Sequence, residues 1–194
     1  MKEENSQNPN VIVFFTDQQR WDTTGVHGNP LNLTPNFDKV AREGTHVYNS
    51  FTCQPVCGPA RSSIQTGLYP TETGCYKNGV SLPSNVNTLG NYFNDAGYKT
   101  GYIGKWHLAS TDPVSKDERG GYKYWLGANS LEHTSHPYDT TVYNNENEEV
   151  KLPGYRVDAL TDAAIRFINN NKNERFFCFF RYLNHINKMI KIRL

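Results

Sequence analysis

Two short runs constrain this chain more than any other part of it: Val11-Ile12-Val13-Phe14-Phe15 near the start and Phe176-Phe177-Cys178-Phe179-Phe180 near the end. Neither alternates apolar with polar residues, so neither suits a sheet with one wet face. Continuous apolar runs of this length belong to strands covered on both faces, and a parallel sheet between helices provides that cover. The segments between them fit this frame. Thr34 as N-cap, Pro35 in the first turn, Phe37, Val40 and Ala41 on one face and Gly44 as a stop predict a helix. His46-Val47-Tyr48 reads as a short strand. A helix is expected from Pro59 to Thr66, closed by Gly67, with Cys57 just ahead of its N-terminus. Leu89, Tyr92, Phe93 and Ala96 mark another helix closed by Gly97, followed by a strand from about Lys99 to Ile103. Val157, Leu160, Ala164, Phe167 and Ile168 form one stripe of a helix that ends at Asn169 to Asn171.

This β-α-β-α order predicts an α/β fold, a mostly parallel sheet flanked by helices, with ligands at the carboxyl ends of the strands. The polar stretch from Ser110 to Gly154, with its charged, Asn-rich patch at Asn144 to Glu149, shows little periodicity. It is expected to be a loop-rich insertion, with room for a hairpin, beside the active face. The last strand, from Phe176 to Leu183, is expected to leave an open sheet edge.

Charge and cysteine usage narrow the function classes. The 194 residues suffice for one domain with a sizeable core. Lys plus Arg number 20 against 19 for Asp plus Glu, so no net field recruits nucleic acid or an anionic membrane. The polar N-terminus and the five-residue apolar run behind it are too short for a signal-peptide core or a membrane span, so the chain as given is expected to be cytoplasmic, with export if a leader precedes it. Four cysteines show no disulfide-framework density. Cys53 and Cys57 have a spacing that could hold zinc, but no second Cys or His pair completes the four ligands. Cys53 and Cys75 read as structural or incidental thiols and Cys178 as a small buried hydrophobe in its strand.

Three motifs fall in order over residues 9 to 107. Pro9-Asn10-Val11-Ile12 leads into Asp17-Gln18-Gln19-Arg20; Cys57-Gly58-Pro59-Ala60-Arg61 is followed by Thr66-Gly67; and Gly97-Tyr98-Lys99-Thr100-Gly101-Tyr102-Ile103-Gly104-Lys105-Trp106-His107 comes last. Together they resemble the type I, formylglycine-dependent sulfatases of the alkaline phosphatase-like superfamily. The second and third match that family's C-x-P-x-R-x-x-x-x-T-G and G-Y-x-T-x-x-x-G-K-W-H signatures, and a looser likeness continues to about His185. The resemblance implies an alkaline phosphatase-like catalytic domain and a sulfuric ester hydrolase. By the same resemblance a formylglycine-generating enzyme converts Cys57 to formylglycine, whose hydrate is the nucleophile. A divalent cation, Ca²⁺ first and Mg²⁺ second, would be held by Asp17, Gln18 and the converted Cys57. Arg61, Lys105 and His107 would complete the catalytic set, and His185 would face the leaving-group oxygen. The partner implied is a small-molecule or carbohydrate sulfate ester.

Elementary chemistry supports the same residues. Sulfate-ester hydrolysis places a nucleophile on a crowded anionic sulfur, so cations such as Arg61 and Lys105 are needed around the non-bridging oxygens. A helix N-terminus adds amide groups and the positive end of the dipole. Asp17 with Gln18 offers two hard oxygen donors, as Ca²⁺ or Mg²⁺ prefers. Taken singly, Asp17 could cap a turn, Arg61 could be a solvated helix arginine, Lys105 a loop lysine and Trp106 a packing residue. Three positions depart from the family pattern: Gln18 replaces the second of two aspartates, Gln65 replaces an apolar residue and is expected to expose that helix face, and Asn184 replaces a proline beside His185. The later metal pair, further lysine and small C-terminal domain of the family have no counterpart in this sequence. The chain is therefore expected to be a truncated N-terminal part, inactive alone. A phosphonate or phosphodiester hydrolase of the same superfamily and a non-catalytic remnant are the alternatives.

Overall fold

The computed structural model describes residues 8–17 and 19–181. In chain order its main elements are β1 (Val11–Phe15), α1 (Pro35–Glu43), α2 (Cys57–Thr66), α3 (Pro70–Thr73), α4 (Leu89–Asp95), β2 (Lys99–Lys105) and β3 (Tyr124–Ala128). There follow α5 (Leu131–Thr134), β4 (Ser135–His136), β5 (Asp139–Tyr143), β6 (Glu149–Leu152), α6 (Arg156–Asn171) and β7 (Phe176–Arg181). The strands form one sheet in the order β1-β7-β2-β3-β5-β4, with β6 paired to β5. Its first four members run parallel, and β5 pairs antiparallel with β3, β4 and β6. The fold class is the α/β arrangement expected, a parallel centre with an antiparallel extension.

Burial on both faces explains the unbroken apolar runs. Along β7, Phe176, Cys178 and Phe180 enter one core with Ile103, Leu126, Leu160, Ala164 and Phe167. Phe177 and Phe179, pointing the other way, join Tyr102, Trp106, Tyr122 and Trp125. The second core is largely aromatic: Phe93 of α4 stacks on Phe177 with centroids 3.9 Å apart, and Tyr102 stacks on Phe179 at 5.5 Å. On the first face the absence of a side chain at Gly101 lets α6 approach, since a Cβ there would lie 2.7 Å from the Phe167 ring. Burying each such aromatic contributes about 2–3 kcal/mol before the entropy of ordering is subtracted.

Several expectations are corrected. His46-Val47-Tyr48 forms no strand; Val47 and Tyr48 are exposed, and the ring of His27 packs against those of His46 and Tyr48. Three residues with no neighbouring backbone to pair with cannot make a ladder. The segment 110–154 does contain loops and an antiparallel hairpin, but it also supplies β3, a buried strand in parallel register with β2 from Gly101↔Tyr124 to Lys105↔Ala128. Among the described residues the edge of the sheet lies at β1 rather than at the last strand, because β7 inserts between β1 and β2. Cys57 is the first residue of α2 rather than the one before it. Thr34 precedes α1 as expected, but its hydroxyl donates to Asp38 and accepts from the Gly25 amide, tying the preceding loop to the helix instead of capping it.

Candidate active site

The parallel strands β1, β7 and β2 end together, and their last residues bring the charged groups into one cluster. Asp17 lies two residues past β1, its side chain 16% exposed. Arg61, on the second turn of α2, reaches it from one side, with Nη2 3.3 Å from Asp17 Oδ1. Arg181, the last residue of β7, reaches it from the other, with Nη2 3.0 Å from Oδ2. Cys57 stands four residues before Arg61, so both project from the same side of α2 one turn apart. The helix start is pinned by Asn78, whose Oδ1 accepts from the Gly58 amide at 2.7 Å.

The third motif is shaped by its tryptophan. Trp106 is buried, its amide donates to the Ala128 carbonyl at 2.8 Å, and its indole meets Tyr102 edge to face with centroids 4.9 Å apart. It is a packing residue, and it anchors the chain between Lys105 and His107. Lys105 is buried with its side chain 4% exposed, and Nζ lies 2.5 Å from Glu132 Oε1. His107 follows with a left-handed backbone, φ 60, uncommon for a residue with a Cβ. Its Nδ1 is buried and meets no hydrogen-bond partner among the described residues. Burial first, then the charges of Lys105 and Arg61, push its pKa down to about 4, so the ring is neutral near pH 7. Glu132 and Asp17 act on it in the opposite sense, which places all five groups within one electrostatic neighbourhood.

The structure thus brings together Asp17, Cys57, Arg61, Lys105 and His107. Gln18 and His185 lie outside the described residues. Two neighbours escaped the sequence reading. Arg181 showed only as a charge terminating an apolar run, and Glu132 carried no local signal at all. Gln65 is buried rather than exposing its helix face, because its Oε1 accepts from the Tyr122 hydroxyl at 2.9 Å inside the aromatic core. Two of the other thiols are buried: Cys75 has Sγ 3.3 Å from the Ser81 carbonyl, and burial pushes Cys178 up to about 12. Cys53 is exposed beside Ser63 Oγ.

Asp17 is a hard oxygen donor, which fits Ca²⁺ or Mg²⁺ in kind. A cation there would share the carboxylate with both guanidinium groups. Among the described residues no group of three His, Cys, Asp or Glu side chains is placed to hold a metal ion.

Comparison with known proteins agrees with this geometry. The sulfatase family model matches residues 9–187. The chain is 37% identical over 166 residues to an uncharacterized sulfatase, YidJ, of Escherichia coli K12, covering 83% of this chain and 33% of that protein. It is 36% identical over 171 residues to an ulvan-active sulfatase of Formosa agariphila, covering 86% and 33%. It is 30% identical over 177 residues to an N-acetylglucosamine-6-O-sulfatase of Bacteroides thetaiotaomicron, covering 91% and 30%. The chain therefore spans about a third of the length of the curated relatives it matches. Among solved structures, one in complex with its substrate D-glucosamine-2-N,6-O-disulfate superposes with a TM-score of 0.79 at 30% identity, covering 90% of this chain and 34% of that one.

Proposed function

The chain belongs to the sulfatase family, and from that premise we propose that it carries the nucleophile and sulfate-binding part of a sulfuric ester hydrolase. The observation that carries this reading is the convergence of Arg61, Lys105 and neutral His107 beside Cys57 and Asp17 at the strand ends. Arg61 and Lys105 hold the non-bridging oxygens of a sulfate group, where charge must be stabilised. His107, neutral and buried at Nδ1, holds or passes a proton at its ring nitrogens next to the nucleophile. Trp106 and the aromatic core behind it exclude water and fix the Lys105–His107 turn.

Cys57 is the substrate of a formylglycine-generating enzyme, and Asp17 and Gln18 with the converted Cys57 are the ligands of Ca²⁺, or of Mg²⁺ in its place. When present, formylglycine supplies a hydrated aldehyde as nucleophile, and the cation favours its ionised form. The ester is a sulfated carbohydrate; this is supported by relatives named for ulvan and N-acetylglucosamine 6-O-sulfate and by the neighbour complexed with a glucosamine disulfate. The test is co-expression with a formylglycine-generating enzyme, followed by peptide mass spectrometry with a carbonyl-reactive probe. An aldehyde at residue 57 is expected. Intact thiol there, beside a converted control, would remove the basis of the reading.

A further inference from the structure

Three buried N–H groups near the carboxyl end of the sheet have no acceptor among the described residues: Arg61 Nε, Trp106 Nε1 and Arg181 Nε. Their residues are 6%, 1% and 1% exposed, and all three line one small cavity of about 10 Å³. Phe15, Ile64, Leu108 and Phe179 add apolar walls. Oxygen is scarce in this lining: Gln65 Oε1 already accepts from the Tyr122 hydroxyl at 2.9 Å, and the Tyr102 hydroxyl donates to the Lys105 carbonyl. Both guanidinium groups meet the same carboxylate, Arg61 Nη2 at 3.3 Å from Asp17 Oδ1 and Arg181 Nη2 at 3.0 Å from Oδ2. One negative charge faces two positive ones, so a surplus positive charge stays beside the cavity.

Buried donors left without acceptors lose their hydration and regain nothing. A water molecule would accept from two of the three and would still have to place its own hydrogens in a lining poor in oxygen. A monatomic anion accepts from all three, donates nothing and offsets the surplus charge. The space admits one atom-sized occupant and no sulfate group. We propose that this cavity is a site for a monatomic anion, chloride in the ordinary case, held by Arg61 Nε, Trp106 Nε1 and Arg181 Nε. The ion ties α2, the turn after β2 and the end of β7 together, and its binding is independent of the sulfatase reading.

The test is urea unfolding of the 194-residue chain as NaCl replaces sodium gluconate at constant ionic strength. Chloride at ten times its dissociation constant should raise the folding equilibrium constant about tenfold. Trp106→Phe keeps a buried ring and removes one donor, and should weaken the chloride effect at least about tenfold in dissociation constant. Trp125→Phe is the control, because the Trp125 indole N–H is also buried without a partner among the described residues yet lies outside this lining; its chloride effect should equal the parent's. A parent indifferent to chloride, a full effect in Trp106→Phe, or an effect lost in Trp125→Phe would each overturn the proposal. Should Trp106→Phe fail to fold, the parent crystallised from NaBr decides through the anomalous signal of bromine. A peak between Arg61, Trp106 and Arg181 is expected. Water or a protein oxygen in that place, or bromide only at Lys105, refutes the site and leaves aldehyde formation at Cys57 to be judged separately.

Discussion

Lys105 is held by a partner that a sulfate group would have to replace. Its ammonium is buried and paired with Glu132, whose side chain is 38% exposed and can swing away. Glu132→Gln should weaken this pairing, lowering stability in chloride by about 1–3 kcal/mol because a buried cation loses its partner. The same change should make sulfate the better partner, so urea unfolding should show sulfate stabilising the variant more than the parent at matched ionic strength. Equal stabilisation would show that Lys105 does not face the anion. His107 gives a second prediction. Its pKa is pushed down to about 4 from 6.5, first by burial and then by Lys105 and Arg61, so the unfolded chain takes up a proton that the folded one refuses. Its contribution to stability is therefore present above about pH 6.5 and is lost progressively as pH falls toward about 4. His107→Asn, which tolerates the left-handed backbone, should flatten that part of a stability–pH curve, and an unchanged slope would refute the depressed pKa. Cys57, Arg61, Lys105 and His107 were legible because their chemistry sits in compact motifs. Arg181 and Glu132 were not, since each meets the site through a pairing between residues far apart in sequence.

At the scale of elements, the contact between β2 and β7 controls where these groups stand. Gly104 has φ +111, and a Cβ built there would fall 2.1 Å from the Arg181 carbonyl oxygen. Backbone cannot step aside as a side chain can. Gly104→Ala should therefore cost about 3 kcal/mol or more, combining left-handed strain with a broken strand pairing. Gly101→Ala meets the Phe167 ring at 2.7 Å, a side chain that can shift, and should cost less, about 1–3 kcal/mol. Chemical denaturation of both variants checks the order; a milder Gly104 variant would mean that β2 and β7 are less closely apposed. The strands themselves were readable in the sequence where both faces are buried, as in β1 and β7, because nothing polar interrupts them. β3 was missed although it is equally buried: five residues containing Gly127 make a weak local signal, and its place is decided by pairing with β2. His46 to Tyr48 shows the converse, a β-rich triplet without a neighbour.

For the molecule as a whole, the prediction is that the 194-residue chain, even with Cys57 converted, turns over sulfate esters no faster than a blank, and charge balance is where it starts. Three cations of the cluster, Arg61, Arg181 and Lys105, face two carboxylates, Asp17 and Glu132, which leaves one net positive charge for an anion. Among the described residues no group of three His, Cys, Asp or Glu side chains is placed to hold a metal ion. Preorganised charge matters steeply, since losing one stabilising donor costs on the order of 100-fold to 1,000-fold in rate. Among the described residues β1 lies at the end of the sheet, and Trp21, 63% exposed, and Phe37, 37% exposed, help Phe14 and His27 line a cavity of about 220 Å³ beside it. That apolar surface adjoins the strand that leads to Asp17, and an active site needs its groups held closely. Purified, aldehyde-bearing chain assayed on an aryl sulfate with added CaCl₂ should match a Cys57→Ala blank, while a full-length relative in the same assay turns over. Hydrolysis above the blank that a chelator abolishes would show that these residues suffice, and that one net charge with a weakly bound cation already makes a working site.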